Sequence, residues 1–347
     1  MPTAQYRCSF LRVWLGQQEP TGRTLLGWPE ISGISYRRRC NFGCHIRIIN
    51  LELNTDAAGL THMNSRRIDG KIIAQSVMDE VAKQIIDLRS DDIRPCLATV
   101  LVGDDQASAT YVRNKHKACS RVGIETKDHR LSSSTSQESL AGLVSSLNDD
   151  RTVHGILVQL PLPRHIDDAV ITSMISPAKD VDGLTPTSAG LLSMGRAPLV
   201  ACTPLGIMRM LDYHKVKLQG KHVVIINRSG LIGKPLYHLM LAEDATVTTC
   251  HSLTRDITKH TRRADILVTA VGDRSKFKLT GEMIKSGAVV IDVAITRHDG
   301  VLAGDADYES VISRASLITP VPGGVGPMTV AMLLHNTAKA AALTRLD

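Results

Sequence analysis

Aromatic residues are scarce in this chain, which has three Phe, two Trp and six Tyr among 347 residues. Proteins that bind nucleic acids usually carry basic clusters with aromatic side chains interleaved, and the sequence contains no such cluster. The net charge of +7 therefore does not indicate a nucleic-acid partner. It is sufficient to attract an anionic cofactor or substrate.

Long apolar runs are also missing. No run reaches the roughly 18 apolar residues of a membrane-spanning helix, so we expect no membrane span. The hydrophobic content of 43% and the charged content of 22% are typical of a soluble globular protein. The length leaves room for two domains, each with its own core.

The seven cysteines lack the regular spacing of a disulfide framework. In a chain of this size they indicate reduced thiols and an intracellular protein. Cys40, Cys44 and His45 lie close together in the sequence. No fourth ligand follows at a recognisable spacing, so we expect no metal site.

Residues 1–62 contain seven arginines and no lysine, and they show no sustained helical or strand period. They could form an organelle transit peptide, which would place the protein in mitochondria. They could equally be a translated upstream region with the true start at Met63. We favour the second interpretation and a cytoplasmic protein, and expect this N-terminal extension to be disordered.

From residue 63 onward, helical patterns alternate with strands that are apolar throughout. This alternation predicts an α/β fold with parallel sheets covered by helices on both faces. Helices are predicted near 70–90, 108–122, 136–148 and 328–342, and strands at 96–102, 153–158, 222–226, 246–250, 265–270, 288–293 and 316–319. Residues 199–204 are predicted as a hinge, with Thr203 as a helix N-cap and Pro204 as the first helical residue.

A glycine-bearing turn at 227–235 follows the strand that ends at Ile226 and precedes a helix. Such a turn places backbone N–H groups against a phosphate, although the spacing is not G-x-G-x-x-G. The next strand ends Cys250-His251-Ser252 without the carboxylate that NAD-binding folds use for the ribose. Together with Arg228 and Ser229 in the turn, this favours NADP over NAD. His251 is either a plain loop residue or a phosphate contact.

Three segments of the first half could carry chemistry. Tyr111 and Lys115 stand four residues apart, so on a helix they share a face that is either solvated or functional. Gln159 closes an apolar strand at the end where α/β sheets place ligand contacts. Asp182 lies in the loop Lys-Asp-Val-Asp-Gly at 179–183, where its carboxylate could pair with an amidine-like edge of a heterocycle.

The stretch 320–327 holds three prolines and three glycines in eight residues. It cannot form a regular helix or a central strand, yet it joins a predicted strand to a predicted helix. It is either a platform for a small molecule or a structural elbow.

These segments together resemble the bifunctional methylenetetrahydrofolate dehydrogenase/methenyltetrahydrofolate cyclohydrolase family over about residues 65–345. The motifs that carry the resemblance are Tyr-Val-Arg-Asn-Lys at 111–115, the strand and loop at 155–163, Lys-Asp-Val-Asp-Gly at 179–183 and the Pro/Gly-rich loop at 320–330. The resemblance implies a catalytic domain at 63–202, completed by 326–347, and a Rossmann-type NADP domain at 203–325. It further implies a folate in the cleft between them, oxidation of the methylene bridge followed by hydrolysis of the methenyl product, and a homodimer formed through the nucleotide domain.

The resemblance also implies a role for each matching residue. Lys115 would be the cyclohydrolase general acid/base, Gln159 would assist it, and Tyr111 would stack on the aminobenzoyl ring. Asp182 would hold the pterin edge. The remaining folate contacts would be Val158, Leu160, Pro322, Gly323 and Gly326, and the cofactor contacts Asn227, Arg228, Ser229, Gly233, Ser252 and Ile295.

The chain departs from the family pattern at two places. Asn227 stands where most members have glycine, and we expect the turn to survive because asparagine tolerates left-handed backbone geometry. Ala294 and Thr296 stand where the family has Gly and Asn, which leaves open a monofunctional member with weak dehydrogenase activity. A non-catalytic folate or nucleotide binder, attached to RNA through residues 1–62, is the alternative from a different class.

Overall fold

The computed structural model describes residues 67–298 and 300–346. The predictions for residues 1–62, including Cys40, Cys44 and His45, and for a start at Met63 lie outside the described residues. Among the described residues, no helix combines the length and the hydropathy that a bilayer crossing requires.

The first lobe is built on a parallel sheet of three strands. Its elements are α1 (Gly70–Ser90), β1 (Cys96–Val102), α2 (Gln106–Val122), β2 (Glu125–Leu131), α3 (Gln137–Asp149) and β3 (Gly155–Val158), with strand order β2-β1-β3. β1 is buried at every residue, as its unbroken apolar run predicts. β2 was not predicted, because as an edge strand it is largely charged and partly exposed along its whole length.

Short helices connect the two lobes. They are α4 (Asp168–Ser173), α5 (Pro186–Ser193) and α6 (Cys202–Tyr213). The predicted start of α6 is wrong, because Ala201 is its N-cap and makes no side-chain cap hydrogen bond. Thr203 instead pairs its hydroxyl with Thr329 at 2.9 Å. Pro204 is the third helical residue, a position where the missing N–H costs no intrahelical bond.

The second lobe carries a five-stranded parallel sheet in the order β10-β7-β6-β4-β5. Its elements are β4 (His222–Ile226), α7 (Gly233–Ala242), β5 (Thr246–Cys250), α8 (Ile257–Thr261), β6 (Ile266–Thr269), β7 (Val289–Asp292), the hairpin β8 (Thr296–His298) and β9 (Val301–Ala303), α9 (Tyr308–Ile312) and β10 (Leu317–Ile318). Short 3-10 turns lie at Gly281–Met283 and Thr344–Leu346. The arrangement is a doubly wound nucleotide-binding sheet.

The last helix, α10 (Val325–Leu343), returns to the first lobe and packs against α1 and α6. The contact with α6 is close, because a Cβ on Gly206 would lie 2.9 Å from the Cβ of Met328. One continuous apolar core therefore includes α1, α6, α10 and one face of the second sheet. This shared core holds the two lobes against one another.

Candidate functional site

Lys115 and Gln159 are brought together at the carboxyl end of β3. Asp105 caps α2 by accepting the Ser108 backbone N–H at 2.7 Å, and the helix then carries Tyr111 and Lys115 on one face. The Lys115 ammonium donates to Gln159 Oε1 at 3.2 Å, while Gln159 Nε2 donates to the Leu160 carbonyl at 2.8 Å. The second bond orients the amide so that its oxygen faces the lysine. Tyr111 is 62% exposed on the same helix face.

Asp182 lies across from Lys115 in the loop 179–183. Burial raises the pKa of its carboxyl, and the nearby Lys115 charge opposes that rise. The neighbouring Asp180 has a different role, because it is 2% exposed and accepts the backbone N–H groups of Leu184 and Thr185 at 3.1 and 2.9 Å. Of the two acids, Asp180 shapes the loop, and Asp182 lies near enough to Lys115 for that charge to lower the pKa of its carboxyl.

The Pro/Gly-rich loop at 320–326 packs against the start of α1. Gly323 has a φ of +99° and accepts the backbone N–H of Gly70 at 3.0 Å. A side chain at Gly70 is excluded, because a Cβ there would lie 1.7 Å from the Gly324 carbonyl oxygen. The peptide bonds Leu160–Pro161, in the loop after β3, and Val321–Pro322, in the Pro/Gly-rich loop, are both cis.

Ile295 joins this wall to the nucleotide lobe. Its side chain is 50% exposed, and a Cβ on Gly326 would lie 3.4 Å from its Cδ1 atom. The residue predicted to lie beside a nicotinamide therefore adjoins a residue predicted to form the folate wall. Two ligands placed in these positions would be neighbours.

The nucleotide turn is held by Asn227, but not through left-handed geometry. Asn227 is absent from the positive-φ residues of the described chain. Its side chain instead donates to the Ala270 carbonyl at 2.7 Å and accepts the N–H groups of Ser229 and Gly233 at 2.8 and 3.0 Å. Gly233 must be glycine, since a Cβ there would lie 2.2 Å from the Asn227 carbonyl oxygen.

Arg228, Ser229 and Ser252 lie at the ends of adjacent strands. Ile226 of β4 pairs with Cys250 of β5, so both following loops leave the sheet at the same edge. The three side chains belong to exposed residues, and β5 ends without a carboxylate. An exposed cation and hydroxyls beside a tight backbone turn fit an anionic nucleotide.

His251 makes hydrogen bonds within its own loop. Its backbone N–H donates to Thr254 Oγ1 at 2.8 Å, and its Nδ1 atom accepts the Leu253 N–H at 3.2 Å. These bonds favour the plain loop interpretation.

Within residues 67–298 and 300–346, no three His, Cys, Asp or Glu side chains are grouped so that they could hold a metal ion.

Two buried acids of the second lobe, Asp292 and Asp305, were not predicted. Asp292, at the end of β7, accepts the N–H groups of Ala294, Asp305 and Ala306 at 3.2, 3.1 and 2.8 Å. Burial raises its pKa to about 6, and the charge of Asp305 adds to the effect. The signal available in the sequence was an acid that closes an apolar strand three residues before Ile295.

The fold and the site define a two-lobed α/β enzyme with a nucleotide-binding lobe and a lysine-bearing site in the other lobe. Family models match both lobes: the tetrahydrofolate dehydrogenase/cyclohydrolase catalytic domain at residues 68–182, and the NAD(P)-binding domain of the same family at residues 201–345. The chain belongs to the tetrahydrofolate dehydrogenase/cyclohydrolase family. The resemblance and the two-domain α/β fold expected from the sequence are confirmed.

Relatives and solved structures agree with this assignment. The bifunctional protein FolD of Nitrosopumilus maritimus is 62% identical over 282 residues, covering 81% of this chain and 98% of the relative. The FolD crystal structure from Campylobacter jejuni, a methylenetetrahydrofolate dehydrogenase/cyclohydrolase, is 43% identical with a TM-score of 0.77, covering 80% of this chain and 98% of its own. The Trypanosoma brucei enzyme, solved with NADP and an inhibitor, is 39% identical with a TM-score of 0.75, covering 81% and 98%.

Proposed function

We propose that this chain oxidises 5,10-methylenetetrahydrofolate to the 5,10-methenyl compound with NADP+ and then hydrolyses it to 10-formyltetrahydrofolate. The observation that carries the proposal is the grouping of Lys115 with Gln159 and Asp182 beyond the end of β3. Ile295 of the second lobe adjoins Gly326 of α10. One folate molecule bound between the lobes would reach both sets of residues.

Lys115 carries the hydrolytic step. Water adds to the methenyl cation and releases a proton; the carbinol hydroxyl then loses its proton as the carbon–N5 bond breaks and N5 is protonated. Lys115 moves these protons, and Gln159 holds its amine in place. Tyr111 stacks on the aminobenzoyl ring, and Asp182 holds the pterin edge through paired hydrogen bonds.

The dehydrogenase step depends on placement. When bound, NADP+ accepts the hydride from the methylene carbon. The folate is positioned by the backbone near Val158 and Leu160 and by the loop of Pro322, Gly323 and Gly326, while Ile295 limits the nicotinamide side. Asn227, Arg228, Ser229, Gly233 and Ser252 hold the cofactor, with Arg228 and the serines at the 2′-phosphate.

Following NADPH formation and methenyl absorbance separately tests the proposal. We expect both activities. The dehydrogenase reaction should be faster with NADP+ as the hydride acceptor than with NAD+. A methenyl hydrolase without NADPH formation would instead identify the monofunctional alternative, which the replacements at Ala294 and Thr296 leave open. Thr296 lies in the β8–β9 hairpin and donates to the Ala303 carbonyl at 3.3 Å.

Assembly, location and domain limits are also proposals. We assign 63–202 with 326–347 to the folate lobe and 203–325 to the nucleotide lobe, and propose a homodimer formed through the nucleotide lobe. β5 is an edge strand of that sheet, and Leu241 on the adjoining α7 is 48% exposed. Light scattering on the wild type and on Leu241→Glu tests the homodimer proposal.

We place the protein in the cytoplasm; mass spectrometry of its mature N-terminus tests the mitochondrial alternative.

A further inference from the structure

α10 contains a polar residue in an apolar environment. Asn336 is 1% exposed, and the buried residues around it on the helix include Leu333, Leu334, Ala338 and Ala340. Burying an amide costs free energy unless its hydrogen-bonding groups find partners. The partners of Asn336 therefore indicate why this position is not apolar.

Both amide hydrogens of Asn336 have an acceptor. Nδ2 donates to the Val181 carbonyl at 2.8 Å and to the Val200 carbonyl at 2.8 Å. Val181 is the central residue of the loop that carries Asp182, and Val200 precedes α6. A single side chain of the last helix thus ties together two segments that precede it by 155 and 136 residues.

The loop is fixed at its other residues as well. Lys179 Nζ donates to the carbonyls of Leu147, Asn148 and Asp150 at 3.0, 2.7 and 2.8 Å, which anchors the loop to the end of α3. Gly183 has a φ of +68° and lies so close to the start of α6 that a Cβ would be 2.3 Å from the Ala201 nitrogen. These anchors hold the backbone on both sides of Asp182.

We propose that Asn336 is a positioning residue for folate binding, because its hydrogen bond to the Val181 carbonyl fixes Asp182 at the pterin edge. The inference rests on the folate function and on the role of Asp182 proposed above. α10 begins beside Gly326 of the folate wall, and Asn336 follows ten residues later, about 15 Å along the axis. One rigid helix thereby sets both walls of the pterin site.

The test compares Asn336→Ala with a matched control, Thr337→Val. Thr337 is equally buried, but its hydroxyl donates at 2.8 Å to Leu333 of its own helix and not to the loop. We expect Asn336→Ala to raise the folate KM of both activities about tenfold, with a smaller fall in kcat and an unchanged Kd for NADP+. Thr337→Val should lower Tm and leave the folate KM within about twofold of the wild type. An equal rise of the folate KM in both variants would show that Asn336 contributes only to the stability of the fold and does not position Asp182.

A double-mutant cycle with Asp182→Asn separates this inference from the proposed function. If Asn336 acts through Asp182, Asn336→Ala should change the KM of the Asp182→Asn variant by less than about twofold. If the effects of Asn336→Ala and Asp182→Asn on the folate KM multiplied in full, the inference about Asn336 would be overturned. The proposed function would still stand. A normal folate KM in Asp182→Asn would remove the pterin role of that acid itself. Should Asn336→Ala fail to fold, Asn336→Ser keeps one donor and is measured in the same way.

Discussion

The two lobes of this protein use their buried polar groups for different purposes. In the first lobe, the Asp182 carboxyl is neighboured by the Lys115 ammonium of α2 and the Cys202 thiol of α6, two groups from distant segments. In the second lobe, Asp292 and Asn227 accept backbone N–H groups, Asp292 from its own loop and from the segment after β9, and Asn227 from its own turn. Both acids have a raised pKa, so the shift alone does not separate a ligand contact from a structural group. The partners of each carboxylate do separate them.

This comparison explains how the lobes divide the work. The first lobe supplies Lys115, the residue proposed to transfer protons, and its position depends on a contact between distant segments. The second lobe supplies a preformed turn, whose shape depends mainly on bonds within six residues of Asn227. Changes in the first lobe should therefore alter chemistry, and changes in the second should alter cofactor affinity or stability.

The largest expected effect is that of Lys115→Ala. Removing the general acid/base should lower methenyl hydrolysis by about 10²- to 10⁴-fold and leave the Kd for NADP+ near normal, because the cofactor contacts lie in the other lobe. Methenyl absorbance and a fluorescence titration of the cofactor measure the two quantities. Lys117→Ala, on an exposed residue of the same helix, is the control. Hydrolysis at the wild-type rate would remove Lys115 from the mechanism.

Asp292→Asn tests the structural role of the second acid. The folded protein binds a proton at Asp292 with a pKa of about 6, above the usual 3.8. The folded state is therefore favoured below pH 4, and about 3 kcal/mol of stability is lost as the pH rises from 4 through 6. The variant carries no titrating carboxyl there, so its free energy of unfolding should fall less over that range. Urea unfolding at several pH values measures this, and an unchanged slope would contradict it.

Arg228→Ala should change cofactor choice more than catalysis. Loss of a charged hydrogen bond to the 2′-phosphate is expected to weaken NADP+ binding by about 10- to 100-fold, with little change for NAD+. Isothermal titration with both nucleotides compares them directly. An equal loss of affinity for NAD+ and NADP+ would mean that Arg228 contacts a part of the cofactor other than the 2′-phosphate.

Asn227→Asp should have the smallest of these effects. The variant keeps the acceptor for Ser229 and Gly233, loses the donor to Ala270 and adds a negative charge beside the cofactor phosphates. We expect the Kd for NADP+ to rise about tenfold, and by less in Asn227→Gly, which adds no charge. The folate KM is the internal control. A tighter complex in Asn227→Asp would show that the turn does not face the phosphates.

Local patterns predicted much of the fold. The strands β1, β4 and β5 were predicted with the bounds they have in the structure, because an apolar run bounded by turn residues defines a buried strand. The edge strand β2 and the hairpin β8–β9 escaped prediction, since partly exposed strands lack that signal. The start of α6 was misassigned because packing against the loop 179–183 overrides the capping preference of Thr203.

The candidate site was only partly predictable for a related reason. The four-residue spacing of Tyr111 and Lys115 predicts a shared helix face without any tertiary information. The bond between Lys115 and Gln159 joins residues 44 apart, and that of Asn336 to Val181 joins residues 155 apart. A single sequence carries no local pattern for such pairs. Motif resemblance proposed the first pair, and only the folded chain revealed the second.

The most direct measurement is a crystal structure of the protein with NADP+ and a non-reactive analogue of methenyltetrahydrofolate. We expect the pterin edge on the Asp182 carboxylate, the one-carbon bridge beside the Lys115 amine, and the nicotinamide next to Ile295. An analogue bound outside this crevice, with the Lys115 amine directed into bulk solvent, would contradict the account.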